Sequence, residues 1–545
     1  MRARLAAAEQ VREVVLCGAI SAVVSALFVF TLPRGGDLAA HLYRTALVQH
    51  GIYVWDNLWF AGQYPLSSYS LLYYLLAAVV GNPVLGIAGV VVAAAVFASI
   101  AQHEWKTAGR WPARVFALLV VGQAFTAAYP YDLGLAMLLA TLWALQRRRA
   151  WLAGCTTLLT LGFSPLAFIF LGLALLALSL RRRRVGRQTV IVAGALALAA
   201  GMQLGVLELL PSPGIVYPYG TWRLLAGLGV SGLGFALALR GRGGWPLASM
   251  FLILAAASVA FDLVPSPVGH NVVRASVFVV PLMLVAAGLA DFRPRFLAIA
   301  GILAAIAANV VPYLAMIPAR SSTAASNLSF WSPVIRYLRT HSTPDFRVEV
   351  VPTANHWESY YLPHAGFALA RGWYRQLDIA DNATLYAPHL NASEYREWLR
   401  ERAVRFVIVP HLPLEAIDAM REKNILESRH SGLTPVLSDR EATIYELPHA
   451  TPLVTGPGAA AVTTLDSSSI GGHVGRAGTY FLRVRYSPYW SVTRGSICVV
   501  PGRASMTQLK AAGPGPFAIQ AVETPAGVLG DVLDADKHAC TVGET

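Results

Sequence analysis

VLGIAGVVVAAAVFASIAQ, residues 84–102, runs for 19 residues without one charged side chain. A helix that long nearly crosses a hydrocarbon core of about 30 Å at 1.5 Å per residue. Similar stretches lie on both sides of it. Reading outward, spans are expected at 14–32, 84–102, 113–128, 133–146, 150–163, 165–180, 189–208, 222–240, 246–264, 272–290 and 296–316, eleven in all. The composition agrees: 55% of the 545 residues are hydrophobic, 13% are charged and the mean hydropathy is +0.52, whereas soluble chains carry about a quarter charged residues. The fold class expected is therefore a polytopic α-helical membrane domain, residues 1–320, with residues 33–83 as its first external loop. It is followed by an extracytoplasmic α/β domain at 321–450 and a β-rich, sandwich-like domain at 451–545, since mixed charge and alternating patterns take over from residue 321.

The formal charge of +13 does not point to nucleic acid. Its basic residues cluster in short loops between apolar runs: Arg2, Arg4 and Arg12; Lys106, Arg110 and Arg114; 147–149; 181–187; Arg240 and Arg242; Arg293 and Arg295. Placed together on the cytoplasmic side they satisfy the positive-inside rule, and the external turns between the later spans hold only Arg223 and Arg274. An odd number of spans then puts the N-terminus in the cytoplasm and the C-terminal domain outside the plasma membrane. The segment 66–80 is about 15 residues of apolar and Tyr-rich sequence and fits a re-entrant or interfacial helix better than a crossing. Only four of the 43 basic residues are Lys, a bias expected of a high-GC bacterial genome. Cys498 and Cys540 fall in the external part and are candidates for a disulfide in an oxidising compartment, whereas Cys17 and Cys155 sit in apolar runs. No cleavable signal precedes the first span.

Residues 33–81, PRGGDLAAHLYRTALVQHGIYVWDNLWFAGQYPLSSYSLLYYLLAAVVG, are the densest in reactive groups near the membrane. Asp37, His41 and Arg44 fall at i, i+4 and i+7, one face of a helix over 38–50, with Asp37 at its N-terminal end. Asp37 can be a helix cap or a catalytic carboxylate, and spacing leaves both open. Trp55, Asp56, Asn57, Trp59, Gln63 and Tyr64 follow, the aromatic and amide mixture that covers a sugar ring and binds its hydroxyls. A second aromatic stretch, 355–378, holds His356, Trp357, Glu358, Arg371 and Trp373 and reads either as an acceptor surface or as an interfacial docking belt. Asp132, in AYPYD, is a second candidate carboxylate or the cap of a helix starting at Leu133. Arg223, His270 and Arg274 at external span ends can bind phosphate or snorkel to the interface.

The run GGD-x3-H-x2-R, then G-x3-WDNLWFAGQYPL and Y-S-x2-YY, resembles the amino-terminal block of membrane proteins labelled 6-pyruvoyl-tetrahydropterin-synthase-related, which look like members of the GT-C glycosyltransferase superfamily. The resemblance is strongest over 33–80 and architectural from 84 to 316. It implies an inverting enzyme that moves a sugar from a polyprenyl-phosphate-linked donor to an envelope glycan or glycolipid, with membrane lipid as its surroundings and no nucleic acid. On this chain it assigns Asp37 as the acidic position, and the chemistry of such a transfer asks for Asp37 as base, His41 and Asp132 as further catalytic groups, and Arg44, Arg223, His270 and Arg274 as donor-phosphate ligands. The loop and 355–378 residues named above would take sugar or acceptor. Many relatives carry an adjacent acidic pair where this chain has one Asp between Gly36 and Leu38, which argues against a divalent metal bridged by neighbouring carboxylates. A catalytically silent scaffold that binds envelope glycan or organises other enzymes is the alternative, and a transporter is a third. Walker, dinucleotide, zinc and nucleophile-elbow motifs are missing, as is a two-fold internal repeat.

Overall fold

The computed structural model describes residues 2–31, 36–67, 69–179, 187–211, 217, 219–240, 244–289, 295–320 and 324–533. They form two compact units: Met1–Gly35, Tyr69–Leu209 and Ile215–Ser321 make the first, and Gly36–Ser68, Leu210–Gly214 and Ser322–Thr545 the second. The loop that the sequence attaches to the membrane part thus groups with the C-terminal part of the chain.

The first unit is helical. Among its described residues six segments are long and apolar enough to cross a membrane: Ala8–Thr31, Asn82–Phe125, Arg187–Leu209, Thr221–Arg240, Gly269–Gly288 and Ala298–Ala315. Shorter apolar helices are Ala150–Phe163, Pro165–Ser179 and Leu247–Leu263. The expected span at 113–128 is divided, with helix Arg110–Leu119 ending before helix Val121–Phe125. The pair at 150–163 and 165–179 is separated by Ser164, which is extended at φ −155°, ψ 112°; the ring of Pro165 disfavours helical geometry at the residue before it. Of the segment 66–80 only Tyr73–Val80 is helical, and Gly81 at φ +92° divides it from helix Asn82–Trp105. Pro83 in that helix's first turn lacks an N–H that would have had no partner there. Helix Asn82–Trp105 lies close against Tyr129–Gln146 because Gly86 and Gly89 face it. A Cβ on Gly86 would meet the Tyr129 ring at 2.2 Å, and one on Gly89 the Asp132 backbone at 3.0 Å. Small residues let membrane helices approach in this way. Arg181–Arg184, Arg242 and Arg293, which the positive-inside reading used, lie outside the described residues.

The second unit holds three four-stranded sheets. β1 (Arg347–Val350), β2 (Val404–Pro410), β3 (Thr434–Ser438) and β4 (Ala442–Glu446) are ordered β1-β2-β4-β3, with β1 and β2 parallel and the other pairs antiparallel. The β1-to-β2 crossover carries helix Ala392–Glu401, opened by a capping box in which Asn391 accepts from Ser393 and Glu394 N–H and Glu394 accepts from Asn391 N–H. That satisfies donors a helix start otherwise leaves bare. Tyr395, Trp398 and Leu399 of this helix pack on Val404, Val407 and Val409 of β2. β5 (Val454–Thr455), β6 (Ala460–Leu465), β7 (Ser469–Val474), β8 (Gly478–Arg485), β9 (Trp490–Arg494), β10 (Ile497–Pro501), β11 (Met506–Ala511) and β12 (Gly515–Ala521) form two antiparallel sheets ordered β10-β11-β8-β5 and β6-β7-β12-β9. Alternation gives each a buried face: Tyr480, Leu482 and Val484 in one, Phe517, Ile519 and Ala521 in the other. The described C-terminal part is thus β-rich, with several sheets.

Candidate functional site

Within the second unit the loop 36–68 is an interior element. Its turn 56–63 closes with paired backbone hydrogen bonds, Asp56 N–H to Gln63 O at 2.9 Å and Gln63 N–H to Asp56 O at 3.0 Å. Phe60, Ala61 and Gly62 are all at positive φ, 54°, 60° and 112°. Two successive non-glycine residues in the left-handed region persist only where surroundings over-determine them, and here they do. Leu58 O accepts from Leu369 N–H at 2.8 Å, Ala61 O from Arg485 N–H at 2.7 Å, and Ser467 O accepts from Asn57 N–H at 2.7 Å. Ahead of the turn, the Glu523 carboxylate accepts from three consecutive backbone N–H groups: Tyr53 and Val54 at 2.8 Å and Trp55 at 3.3 Å. Burial pushes Glu523 up to about 7, against the opposing pull of those hydrogen bonds.

This embedding decides what the loop side chains can touch. Asp56 is fully buried and accepts from Tyr43 Oη at 3.0 Å, Leu58 N–H at 3.1 Å and Gln63 Nε2 at 3.3 Å. Burial lifts its carboxyl to about 6 although those donors pull the other way. Trp55 Nε1 donates to Asn57 Oδ1 at 2.7 Å, Asn57 Nδ2 to Asp466 O at 2.8 Å, Trp59 Nε1 to Ser359 O at 3.1 Å, and Tyr64 Oη to Ser487 Oγ at 2.9 Å. Trp59 stacks on Tyr43 with centroids 4.5 Å apart. The residues proposed to hold a sugar are thus the packed frame of the second unit, with Trp55, Asp56, Asn57, Trp59, Gln63 and Tyr64 all at most 6% exposed. Arg44 is likewise turned inward: Nη1 donates to Pro65 O, Nη2 to Gln63 Oε1 at 3.2 Å, and the guanidinium lies over the Tyr374 ring at 4.3 Å. His41, on the same face of helix Leu38–Gln49, sits with Nδ1 3.5 Å from Tyr374 Oη.

Asp37 differs from all of these. It occupies the N-cap position of that helix, yet its side chain makes no capping hydrogen bond and its φ/ψ of −82°/−7° are helical. Oδ1 accepts instead from Trp373 Nε1 at 3.2 Å, and the residue is half-buried. Trp373 stacks on His356 with centroids 3.2 Å apart and planes 10° from parallel, and His356 holds this place at φ +54°. His356 Nδ1 is 3.3 Å from Glu358 Oε1, and Glu358 accepts from Thr353 N–H at 3.1 Å and Thr353 Oγ1 at 2.7 Å. His356, Glu358, Arg371 and Trp373 do line one cavity, of about 20 Å³, room for a single water and not for a sugar ring. Trp357, 2% exposed, is interior.

Behind this cavity Arg371 is enclosed by carboxylates. It bonds Glu349 Oε1 through Nε at 2.8 Å and also through Nη2, reaches Glu422 Oε2 at 2.9 Å, and lies 3.7 Å from Asp378 Oδ2. Burial raises Glu349 to about 8 and Glu422 to about 7, opposed by Arg371, whereas the surrounding carboxylates hold Arg371 charged despite its own burial. The charge pattern was not readable in advance: Glu349 lies on β1 and Glu422 on helix Ile417–Glu427, 73 residues apart in sequence.

In the first unit Asp132 is not a cap either. Its helix begins at Tyr129, the residue is fully buried in the first turn, and neither carboxylate oxygen has a hydrogen-bond partner among the described residues. Nearby, Arg274 donates through Nη1 to Gln123 Oε1 at 2.7 Å and lies 5.5 Å from the Tyr131 ring, and Gln123 Nε2 donates to Tyr313 Oη at 3.2 Å. Arg223 and His270 adjoin each other, Nη1 to Nδ1 at 2.9 Å. Among the described residues no group of three or more His, Cys, Asp or Glu is arranged to hold a metal. Cys17 and Cys155 are free and Cys498 is disulfide-bonded, while Cys540 lies outside the described residues.

No family model matches the chain, and no curated protein does.

Proposed function

We propose that the protein is a multi-pass membrane enzyme, an inverting glycosyltransferase that takes a sugar from a polyprenyl-phosphate-linked donor to an envelope glycan or glycolipid, with the N-terminus cytoplasmic, eleven crossings and the C-terminal domain outside. The observation that carries the reading is Asp37. A carboxylate at a helix N-terminus that neither caps the helix nor is fully buried has been left for another use, and the Trp373 indole N–H orients it through one oxygen while a carboxylate can accept at both.

In this reading the acceptor hydroxyl oxygen attacks the anomeric carbon as Asp37 removes its proton. The bond from that carbon to the phosphate oxygen breaks with inversion, and the phosphate departs with the bonding pair. General-base assistance of this kind is worth about 10²- to 10⁴-fold. His41 and Arg44, which both meet Tyr374 next to Trp373, are positioning residues in this reading. The donor phosphate is assigned to Arg223, His270 and Arg274, with Asp132 as a second acidic group. Asp37→Asn keeps shape and removes the base, so a deletion strain carrying it should show the envelope glycans of the empty strain by mass analysis while the protein is made and inserted.

A silent scaffold is favoured by a different observation, the closure of the loop's aromatic and amide side chains against the protein itself. Full complementation by Asp37→Asn would make that the better reading.

A further inference from the structure

A groove of about 1000 Å³ in the first unit lies among the ends of four apolar helices, Asn82–Trp105, Tyr129–Gln146, Ala150–Phe163 and Arg187–Leu209. Arg148, Arg149 and Arg187 line it and are exposed, with Glu104 as the single carboxylate among the described lining residues. The site is more than a scatter of surface charge. Arg149 is held over the Trp143 ring at 5.5 Å, and Arg148 sits at φ +58°, a conformation few side chains adopt without support. His103 Nδ1 and Gln188 Nε2 are buried at its wall without a hydrogen-bond partner among the described residues, as is the acceptor Gln146 Oε1. A protein rarely leaves buried polar atoms unmatched unless something else matches them. Trp151, 69% exposed at the start of an apolar helix, is the residue type that settles at headgroup depth.

The geometry points to a binding site for the headgroup of an anionic phospholipid, separate from every residue assigned to sugar transfer and independent of that assignment. Guanidinium groups grip phosphodiester oxygens in two places. A donor such as Gln188 Nε2 suits a third phosphate oxygen, and Gln146 Oε1 suits a headgroup hydroxyl. A lipid is favoured over a soluble anion because the groove lies at the ends of apolar helices, where headgroups already stand at high local concentration and basic pockets between spans collect them.

The test uses the full chain in a mild neutral detergent, titrated with phosphatidylglycerol or phosphatidylcholine and read by native mass spectrometry. Phosphatidylglycerol should bind at least tenfold tighter than phosphatidylcholine. Each arginine near a lipid surface is worth roughly fivefold, so R148Q/R149Q/R187Q should lose about 10²-fold in phosphatidylglycerol affinity. Arg147→Gln, which removes a charge outside the groove, should not change it. Equal binding of the two lipids by the unaltered protein would overturn the inference without any variant having to fold. So would retained affinity in the triple variant, or displacement of the lipid by millimolar inorganic phosphate, which would mark a site for a free anion.

Discussion

The carboxylates around Arg371 make the stability of the second unit fall as pH rises, and the structure sets the size of the effect. Glu349 and Glu422 have folded-state values of about 8 and about 7, raised by burial above the ordinary 4.5. A raised carboxyl pKa means the folded state holds protons that the unfolded chain releases, so their contribution is whole below about pH 4.5 and is lost as pH climbs through 7 and 8. At about 1.4 kcal/mol per pKa unit, and treating the two as one titrating pair about a shared guanidinium, the loss between pH 5 and 8.5 should be at least about 3 kcal/mol. Asp378, Tyr386 and Tyr395 face the same cluster and bond within it: Tyr386 Oη donates to Asp378 and Tyr395 Oη to Glu422. The perturbation is the E349Q/E422Q pair, which keeps shape but cannot ionise. The assay is hydrogen exchange of β1 and β2 amides in the full chain, corrected for intrinsic rates. Wild-type protection should drop across that range and the variant's should drop clearly less, the remaining slope coming from Asp56 and Glu523, which burial also raises. Arg371→Met should cost about 3 to 5 kcal/mol, more at pH 8.5 than at pH 5.5, because Glu349 and Glu422, raised by burial, are ionised and unopposed only at the higher pH. An equal pH slope in wild type and double variant, or protection that rises with pH, would refute the account.

Asp37→Asn should reduce transfer by at least about 10²-fold with insertion intact, measured as glycan product per amount of membrane-embedded protein. Gly62→Ala should destabilise the turn by about 1 to 3 kcal/mol, since the backbone stands at φ +112° and a Cβ would lie 2.3 Å from Trp55 Cζ2; thermal unfolding followed by tryptophan fluorescence reads it. Glu523→Ala strips the partner from three N–H groups and should cost about 2 to 3 kcal/mol, seen as faster exchange at Tyr53, Val54 and Trp55 while β7 and β12 amides stay protected.

Periodicity made much of this molecule readable. Apolar length marked the helices of the first unit, and alternating patterns from residue 321 marked the part of the chain in which β1, β2 and β4 form. The strand β3 is not legible in the sequence: Thr434–Ser438 is five residues with a proline, and it lies outermost in its sheet, where such a residue is tolerated. The i, i+4, i+7 spacing correctly put His41 and Arg44 on one face, but the same spacing serves a ligand or a core, and helix phase alone does not say which. What decides is the partner, and the partners here lie far along the chain: Trp373 for Asp37, Glu523 for the turn, Ser487 for Tyr64.

The two capping readings were discarded for one physical reason. A cap needs non-helical dihedrals so that its side chain can bend back to the N–H of the second or third helical residue. Asp37 has helical φ/ψ, and the helix of Asp132 starts at Tyr129, four residues earlier than the start at Leu133 that a cap would require. Neither carboxylate is therefore placed by local helix chemistry, and each sits where an alternative apolar side chain would avoid its desolvation. Asp37 keeps partial exposure and one orienting donor, the condition of a group that must exchange a proton. Asp132 is fully enclosed near Arg274, and its carboxylate oxygens have no hydrogen-bond partner among the described residues, so its replacement by Leu would remove an unsatisfied buried polar group. Stability that rises in Asp132→Leu while function falls would separate a retained functional acid from a structural one, since a structural carboxylate should lose both together.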